Sequence, residues 1–131
     1  MDRKDFFEFV ESEYGIKPDY PFEDDGSTAV FRHDINRKWF AIVMSIPRDR
    51  LGLEGRANID IVNLKCSPAL IGPMRNDPGF YPAWHMNKSH WLSAALDGSA
   101  DDETLRFLID ISFDLTKPKM KKADNQKGEL R

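Results

Sequence analysis

The amino-acid sequence predicts an α+β fold in which helices cover one side of an antiparallel sheet, with the element order α-β3-α-β2-α. Helical spacing of apolar residues is confined to the two ends of the chain and one short segment in the middle. The intervening apolar runs are short and follow one another through turn-forming residues, so we expect hairpins with helices packed on them. A length of 131 residues is typical of one domain. We assign that domain to residues 1–116 and a basic, flexible tail to residues 117–131.

The first helix is predicted from Asp2 to Tyr14. Asp2 can accept hydrogen bonds from the free amide groups of the first turn, and Asp5 complements the positive end of the helix dipole. Gly15 is suited to end the helix, because glycine tolerates the left-handed conformation found at many helix ends. The apolar residues at helical spacing are Phe6, Phe9 and Val10.

Three strands are predicted next, over Thr28–His33, Lys38–Ile46 and Asn58–Lys65. A short extended piece at residues 20–22 and a turn at residues 23–26 precede them. The second strand is largely apolar at both sets of alternating positions, which is typical of a central strand covered on both faces.

The second helix is predicted to begin at Ser67-Pro68, since serine is a good N-cap and proline suits the first helical position. Gly72-Pro73 should shorten or kink it, because proline removes a backbone hydrogen bond. Two further strands are predicted over Tyr81–Met86 and Trp91–Leu96, joined by a turn. Ser99 and Asp102 form a variant capping box for the last helix, which should end near Thr116.

The charge is unevenly spread along the chain. Residues 1–116 hold 13 Lys and Arg against 20 Asp and Glu, whereas residues 117–131 hold six against two. A protein whose main role is to hold nucleic acid usually has a basic face, so an acidic body is weak support for that role. The basic tail is either a source of salt-sensitive affinity for nucleic acid or a solubilising end.

The single cysteine and the N-terminal sequence indicate a cytoplasmic protein. Cys66 has no partner for an internal disulfide, which is typical of a reducing compartment. The N-terminus is charged at once and lacks the apolar stretch of a signal peptide. No apolar run is long enough to cross a bilayer, so we expect no membrane association.

Three stretches of sequence together carry a family resemblance. They are Tyr20-Pro21-Phe22-Glu23-Asp24 with Ala29-Val30-Phe31, Asn63-Leu64-Lys65-Cys66-Ser67-Pro68, and above all His85-Met86-Asn87-Lys88-Ser89-His90-Trp91. With them the chain resembles the MmcQ/YjbR family of small bacterial proteins over nearly all of its length except the tail. The resemblance implies a secretion-chaperone-like fold of order α-β3-α-β2-α. It also implies DNA binding through a double-wing arrangement of strands, and no defined chemistry.

The chain departs from the family pattern at two aromatic positions. Trp84 and Phe113 each stand at a position where the family usually has tyrosine. Both changes keep a ring, but the second loses a hydroxyl. A role that needs a phenol at position 113 is therefore not expected here.

The segment from His85 to His90 is the most suggestive part of the sequence. On a hairpin, both histidines and Lys88 could point the same way beside Trp84 or Trp91, which would suit phosphate contacts and base stacking. The alternative is structural: Asn87-Lys88 is chosen for its turn, the histidines hydrogen-bond backbone groups, and Trp91 is core. Arg48-Asp49-Arg50 in the preceding loop is either a phosphate contact or a solvated loop of mixed charge.

A metal site and a catalytic site have little support. Cys66, His85 and His90 could supply three zinc ligands, but no Cys-x-x-Cys or His-Glu-x-x-His motif is present. Cys66 reads better as a small core residue. Cys66, His85 and Asp97 are the residue types of a catalytic triad, but no local sequence signature brings them together. We predict no catalytic residue, no metal ligand and no cofactor.

Three functional hypotheses remain at this point. The first is a DNA-binding module, the second a protein- or peptide-binding adaptor without catalytic activity, and the third an enzyme with the histidine segment in a pocket. The chain is expected to be a monomer or weak homodimer. The predicted nucleic-acid-binding residues of the first hypothesis are Lys65, Trp84, His85, Asn87, Lys88, His90 and Trp91, with Arg37 and Lys38 as further phosphate contacts.

Overall fold

The structure is a computed structural model that describes residues 1–22 and 26–119. Within these residues it contains five strands and three α-helices in the predicted order, which confirms the α-β3-α-β2-α arrangement. The elements are α1 (Arg3–Tyr14), β1 (Ala29–Arg32), β2 (Trp39–Pro47), β3 (Asn58–Lys65), α2 (Pro68–Met74), β4 (Phe80–Pro82), β5 (Trp91–Ala95) and α3 (Asp102–Thr116). A short 3-10 helix at Arg48–Leu51 follows β2. Residues 23–25 of the turn predicted at residues 23–26, and most of the predicted tail, lie outside the described residues.

The five strands form one sheet in the order β1-β2-β3-β5-β4, and each neighbouring pair is antiparallel. β2 and β3 are central, as the apolar pattern of β2 predicts. The two edges are short. β4 has only three residues and ends at Pro82, while the outer edge of β1 is met by Asp19, which exchanges two backbone hydrogen bonds with Val30.

The helices lie on one face of the sheet. Residues at alternate positions of the strands, such as Val62 and Leu64 of β3, are buried against them in the main core. Phe6 and Val10 of α1 enter this core, and so does the buried stripe of α3 that contains Leu105. We call this the helical face.

No helix of residues 1–22 or 26–119 lies on the other face of the sheet, and we call it the helix-free face. Ile59 and Ile61 of β3, with Ile46 and Ala95 from β2 and β5, form a second and smaller apolar cluster there. Two loop segments cover this cluster, residues 48–57 and residues 83–90. The partly buried side chains that they and β4 place on it include Leu51, Leu53, Tyr81 and Trp84.

The ends of α1 follow the prediction. The Asp2 carboxylate accepts from the Asp5 backbone N–H at 2.8 Å, and the Asp5 carboxylate accepts from the Asp2 N–H at 3.1 Å, which forms a capping box. Gly15 ends the helix with φ of 68°. α2 is short, as Gly72-Pro73 predicts.

The predicted start of α3 is wrong by two residues. Asp101 is the N-cap, and its carboxylate accepts from the Thr104 N–H at 3.0 Å. Ser99 belongs to the preceding turn, where its N–H and hydroxyl both bond to Asp97. Ser99 and Asp101 are both suitable N-cap residues, but Ser99 is used in the turn, so Asp101 caps the helix.

The predicted strand over residues 81–86 is wrong beyond Pro82. β4 spans Phe80–Pro82, and residues 83–90 leave the sheet as a series of turns. Two observations explain this. His85 has a left-handed backbone with φ of 58°, which no strand residue adopts, and the backbone of Trp84 is bonded to side chains of the sheet instead of a neighbouring strand.

Candidate functional site

The backbone of Trp84 is held on the helix-free face by two fully buried polar side chains. The Asn63 amide donates to the Trp84 carbonyl at 2.9 Å, and the Trp84 N–H donates to the Ser93 hydroxyl at 3.0 Å. The Ser93 hydroxyl in turn donates to the Asn63 side-chain oxygen. Because Asn63 and Ser93 lie directly opposite each other on β3 and β5, this closed set of bonds fixes residue 84 to the middle of the sheet. We call it the Asn63–Ser93 clamp.

Next to the clamp, Trp84 and His85 form a stacked aromatic pair. Their ring centroids are 4.2 Å apart and the ring planes differ by 16°. His85 is exposed, and its left-handed backbone is unusual for a residue other than glycine. Strained backbone of this kind is often found where a side chain must be aimed in one direction.

A groove runs beside this aromatic pair, with a volume of about 280 Å³. The Arg50 guanidinium lies over the Trp84 ring at 5.6 Å from its centroid, a cation–π contact. Lys88 also lines the groove, and its side chain is exposed. The residues that line the groove are Arg50, Leu51, Tyr81, Pro82, Ala83, Trp84 and Lys88.

The turn that carries Lys88 is firmly built. The Asn87 carbonyl accepts from the N–H groups of His90 and Trp91, and the Asn87 side chain accepts from the Ser89 N–H at 2.8 Å. The Arg75 guanidinium donates to the Lys88 carbonyl at 3.0 Å. Asn87 therefore has the turn-forming role that the structural alternative assigned to it.

The same alternative is wrong about the histidines and about Trp91. His85 and His90 are exposed, and Trp91 is only partly buried. Trp91 lies directly opposite Lys65 at the end of β5 and β3. Lys65 follows Leu64 and Trp91 precedes Leu92, which are both on the helical face, so Lys65 and Trp91 belong to the helix-free face.

Arg37 and Lys38 lie elsewhere. They belong to the turn between β1 and β2, which is at the far side of the sheet from β5 and β4. Arg37 is 3.5 Å from the Asp19 carboxylate, so part of its charge is already matched. The structure thus brings Trp84, His85 and Lys88 together, places Lys65 and Trp91 as a second pair, and separates Arg37 and Lys38 from both.

Residues that the sequence analysis did not single out complete the site. Tyr81 lines the groove, and Asn63 and Ser93 position it. The signal for the last two was present, since each is a polar residue at an inward position of an apolar strand, and buried polar groups need partners.

The charged groups of the chain are segregated between its segments. Residues 26–96, which contain the sheet, its loops and α2, hold nine Lys and Arg against five Asp and Glu. Residues 1–14, with α1, hold two against five, and residues 97–116, with α3, hold one against six. The segments of α1 and α3 therefore hold eleven of the 20 Asp and Glu of residues 1–116, and residues 15–25 hold four more.

The structure offers no metal centre in the part of the chain that it describes, where no three His, Cys, Asp or Glu side chains are grouped to hold an ion. Cys66 is buried in the main core, as predicted, and burial raises the pKa of its thiol. His85 and His90 are exposed and do not share that environment. Among the described helices, none is long and apolar enough to span a bilayer.

A third histidine has a structural role at the C-terminal end of α3. His33 is 5% exposed, and its Nε2 lies 2.9 Å from the Thr116 hydroxyl and 3.1 Å from the Phe113 carbonyl. The Phe113 ring packs against it with centroids 4.3 Å apart, in place of the tyrosine usual in the resembling family. Burial lowers the pKa of His33, because the charged imidazolium would lose its water.

We expect the stability of the protein to fall as the pH is lowered below about 6.5, the ordinary pKa of histidine. The unfolded chain then takes up a proton at His33 more readily than the folded chain, so protonation favours unfolding. The His33 contribution is complete above that pH and is lost as the pH falls through the lowered pKa of the folded state. Urea denaturation at a series of pH values measures this. His33→Gln should flatten the dependence in this range, and the exposed control His90→Gln should not; equal slopes for both variants would contradict the assignment.

Comparisons with known proteins give a consistent assignment. The sequence model of the YjbR family matches residues 12–115. The chain is 40% identical over 117 residues to the uncharacterized protein YyaQ of Bacillus subtilis, covering 89% of this chain and 99% of that protein. It is 39% identical over 57 residues to the uncharacterized protein YjbR of Escherichia coli, covering 43% of this chain and 48% of that protein.

Solved structures share the fold. A crystal structure of a protein from Pseudomonas syringae has a TM-score of 0.87 at 42% identity, covering 89% of this chain and all of the other. A crystal structure of a Deinococcus radiodurans protein has a TM-score of 0.67 at 26% identity, covering 100% of this chain and 91% of the other. By family model, relatives and fold, this chain belongs to the YjbR family.

Proposed function

We propose that this protein binds DNA through the helix-free face of its sheet and the loops at residues 48–57 and 83–90. The observation that carries the proposal is the segregation of charge. The net negative charge of residues 1–116 is unfavourable for binding a polyanion. However, more than half of the Asp and Glu residues of this region lie in the segments of α1 and α3, on the helical side. The excess of Lys and Arg lies with the sheet, its loops and α2.

The cations of the proposed face are available for phosphate. Lys65 and Lys88 form no ion pair with a carboxylate of residues 1–22 or 26–119, and Arg50 meets only its neighbour Asp49, at 3.9 Å. Lys and Arg side chains free of internal partners are the groups that make most contacts with the phosphate backbone. Exposed His85 and His90 add hydrogen-bond donors beside them.

DNA binding is tested by fluorescence anisotropy with a labelled duplex at a series of salt concentrations. We expect affinity to fall steeply as salt rises, because each neutralised phosphate releases counterions. Arg50→Gln with Lys88→Gln should reduce the slope of log K against log salt by up to about two, since each phosphate contact contributes about 0.9.

The matched control for that experiment is Lys4→Gln. Lys4 is an exposed cation of the same charge on α1, on the helical side. It should leave both affinity and slope unchanged. Absence of binding at low salt, or an equal loss in the control, would contradict the proposal.

A protein-binding adaptor is a second candidate, favoured by one observation on the helical side. Phe107 and Leu115 of α3 are 56% and 46% exposed, and a spacing of eight residues puts them on one side of the helix. An exposed apolar stripe beside acidic residues is typical of a surface that contacts another protein. This function predicts binding that changes little with salt and is lost in Phe107→Ser, with no effect of the Arg50 and Lys88 substitutions.

A further inference from the structure

We infer that the groove between Arg50, Trp84 and Lys88 receives a single unpaired nucleotide of a DNA strand, so that the protein prefers single-stranded to duplex DNA. The inference rests on the proposed DNA binding and adds which form of DNA the site selects. Three features of the groove support it: its aromatic surface, its charge and its size.

The aromatic surface is suited to a base that is free on at least one side. The Trp84 and His85 rings stack face to face, which leaves the outer face of the exposed His85 ring free for a base next to the groove, whose own lining includes Trp84 but not His85. Tyr81 adds a further ring to the lining. Bases stack on such rings whatever their identity, but in a duplex both faces of each base are already covered by neighbouring base pairs.

The charge of the groove selects an anionic occupant. Within the described part of the chain, its lining contains two cations, Arg50 and Lys88, and no carboxylate. An occupant that combines a planar ring with a flanking phosphate can use the rings and the cations together, and a nucleotide of a strand is such an occupant. The guanidinium of Arg50 is also planar and can itself stack on a base or bond to phosphate.

The size and rigidity of the groove agree with one nucleotide. Its volume of about 280 Å³ is just below the range for small-molecule pockets, which begins near ~300 Å³, and this suits one nucleotide better than a base pair. Its walls are fixed in advance. The Asn63–Ser93 clamp holds residue 84, and the Arg75 hydrogen bond holds the backbone of Lys88. A site that is already ordered loses little entropy when it binds.

The test compares three labelled ligands of equal length by fluorescence anisotropy: oligo(dT), a duplex, and a strand in which the central bases are replaced by abasic sites. Oligo(dT) should bind about tenfold more tightly than the abasic strand, which keeps the phosphates and loses the stacking. It should also bind at least severalfold more tightly than the duplex.

His85→Gly is the variant of choice, because glycine adopts the backbone conformation at φ of 58° without strain and the fold should be kept. We expect it to weaken oligo(dT) binding about fivefold and duplex binding by a smaller factor, because a duplex loses only a hydrogen-bond donor and no stacking surface. Tyr20→Ala removes an exposed ring next to Asp19, at the β1 edge of the sheet, and is the matched control, for which both affinities should stay the same. Trp84→Phe, with its thermal unfolding measured alongside, checks the ring that packs on the sheet and should also weaken oligo(dT) binding.

The outcomes separate this inference from the proposed function. If oligo(dT), the abasic strand and the duplex bind equally well, the nucleotide site is refuted while DNA binding stands. If His85→Gly and Tyr20→Ala change oligo(dT) affinity by the same factor, the stacking surface is refuted. If none of the three ligands binds at low salt, both proposals fail together.

Discussion

Gly79→Ala is expected to destabilise the fold by about 3 kcal/mol or more. Gly79 has φ of 86°, a conformation that residues with a side chain adopt only with strain. A Cβ added there would lie 2.5 Å from the backbone nitrogen of Ala100 and 2.7 Å from its Cα. Because Ala100 immediately precedes the N-cap of α3, the chain cannot move aside without displacing the start of that helix. The Gly79 carbonyl also accepts from the Ala95 N–H at 2.8 Å, which ties this loop to β5.

Urea denaturation measures this effect, and Gly98→Ala is its matched control. Gly98 has nearly the same φ, 88°, but an added Cβ would meet nothing within 4 Å. It should therefore show the cost of the backbone conformation alone, about 1 kcal/mol. Equal destabilisation by the two substitutions would show that the contact with Ala100 does not limit position 79.

Asn63→Leu is expected to destabilise the protein by about 3 kcal/mol, although leucine is close in size and the position is fully buried. The substitution leaves the Trp84 carbonyl and the Ser93 hydroxyl without their partner, and each buried polar group left unpaired costs about 1–3 kcal/mol. It also releases residue 84 from the sheet, so oligo(dT) affinity should fall with stability. Asn58→Leu, at an exposed position of the same strand, should change stability by no more than about 0.5 kcal/mol.

A double-mutant cycle with Ser93→Ala tests whether the clamp acts as a unit. Asn63 and Ser93 share a hydrogen bond and both bind Trp84, so the double variant should be less destabilised than the sum of the single variants. The expected coupling is about 1 kcal/mol or more, within the range for residues in one network. Additive effects would mean that the two side chains hold Trp84 independently.

The fold was predictable because its signals are local. The cap at Asp2 and the left-handed Gly15 delimit α1, and proline at the start and end of α2 limits its length. The prediction failed at residues 83–86 because the forces there are not local. The aromatic and apolar residues after Pro82 read as a strand, but side chains on β3 and β5 take the hydrogen bonds that a neighbouring strand would have supplied.

The candidate site was predictable only in part. The pattern from His85 to His90 marks an unusual turn, but it left open whether the side chains are exposed; in the structure both histidines and Lys88 are exposed. The contact between Trp84 and Arg50 joins residues 34 positions apart, so it depends on how the loop after β2 folds over the sheet. Arg37 and Lys38, in contrast, were predicted to belong to the site but lie away from it. Their charge suits phosphate, but the strand order sets them at the opposite margin of the sheet.

The two short edges of the sheet have a consequence for how the protein behaves at high concentration. A strand from another molecule can add to a sheet only where a row of backbone N–H and C=O groups is free. At one edge of the sheet, β4 has only three residues, and the last of them is a proline, which has no N–H. At the other edge, the backbone of Val30 in β1 is already hydrogen-bonded to Asp19. We therefore expect that, at high concentration, molecules of this protein do not associate by pairing the edge strands of their sheets.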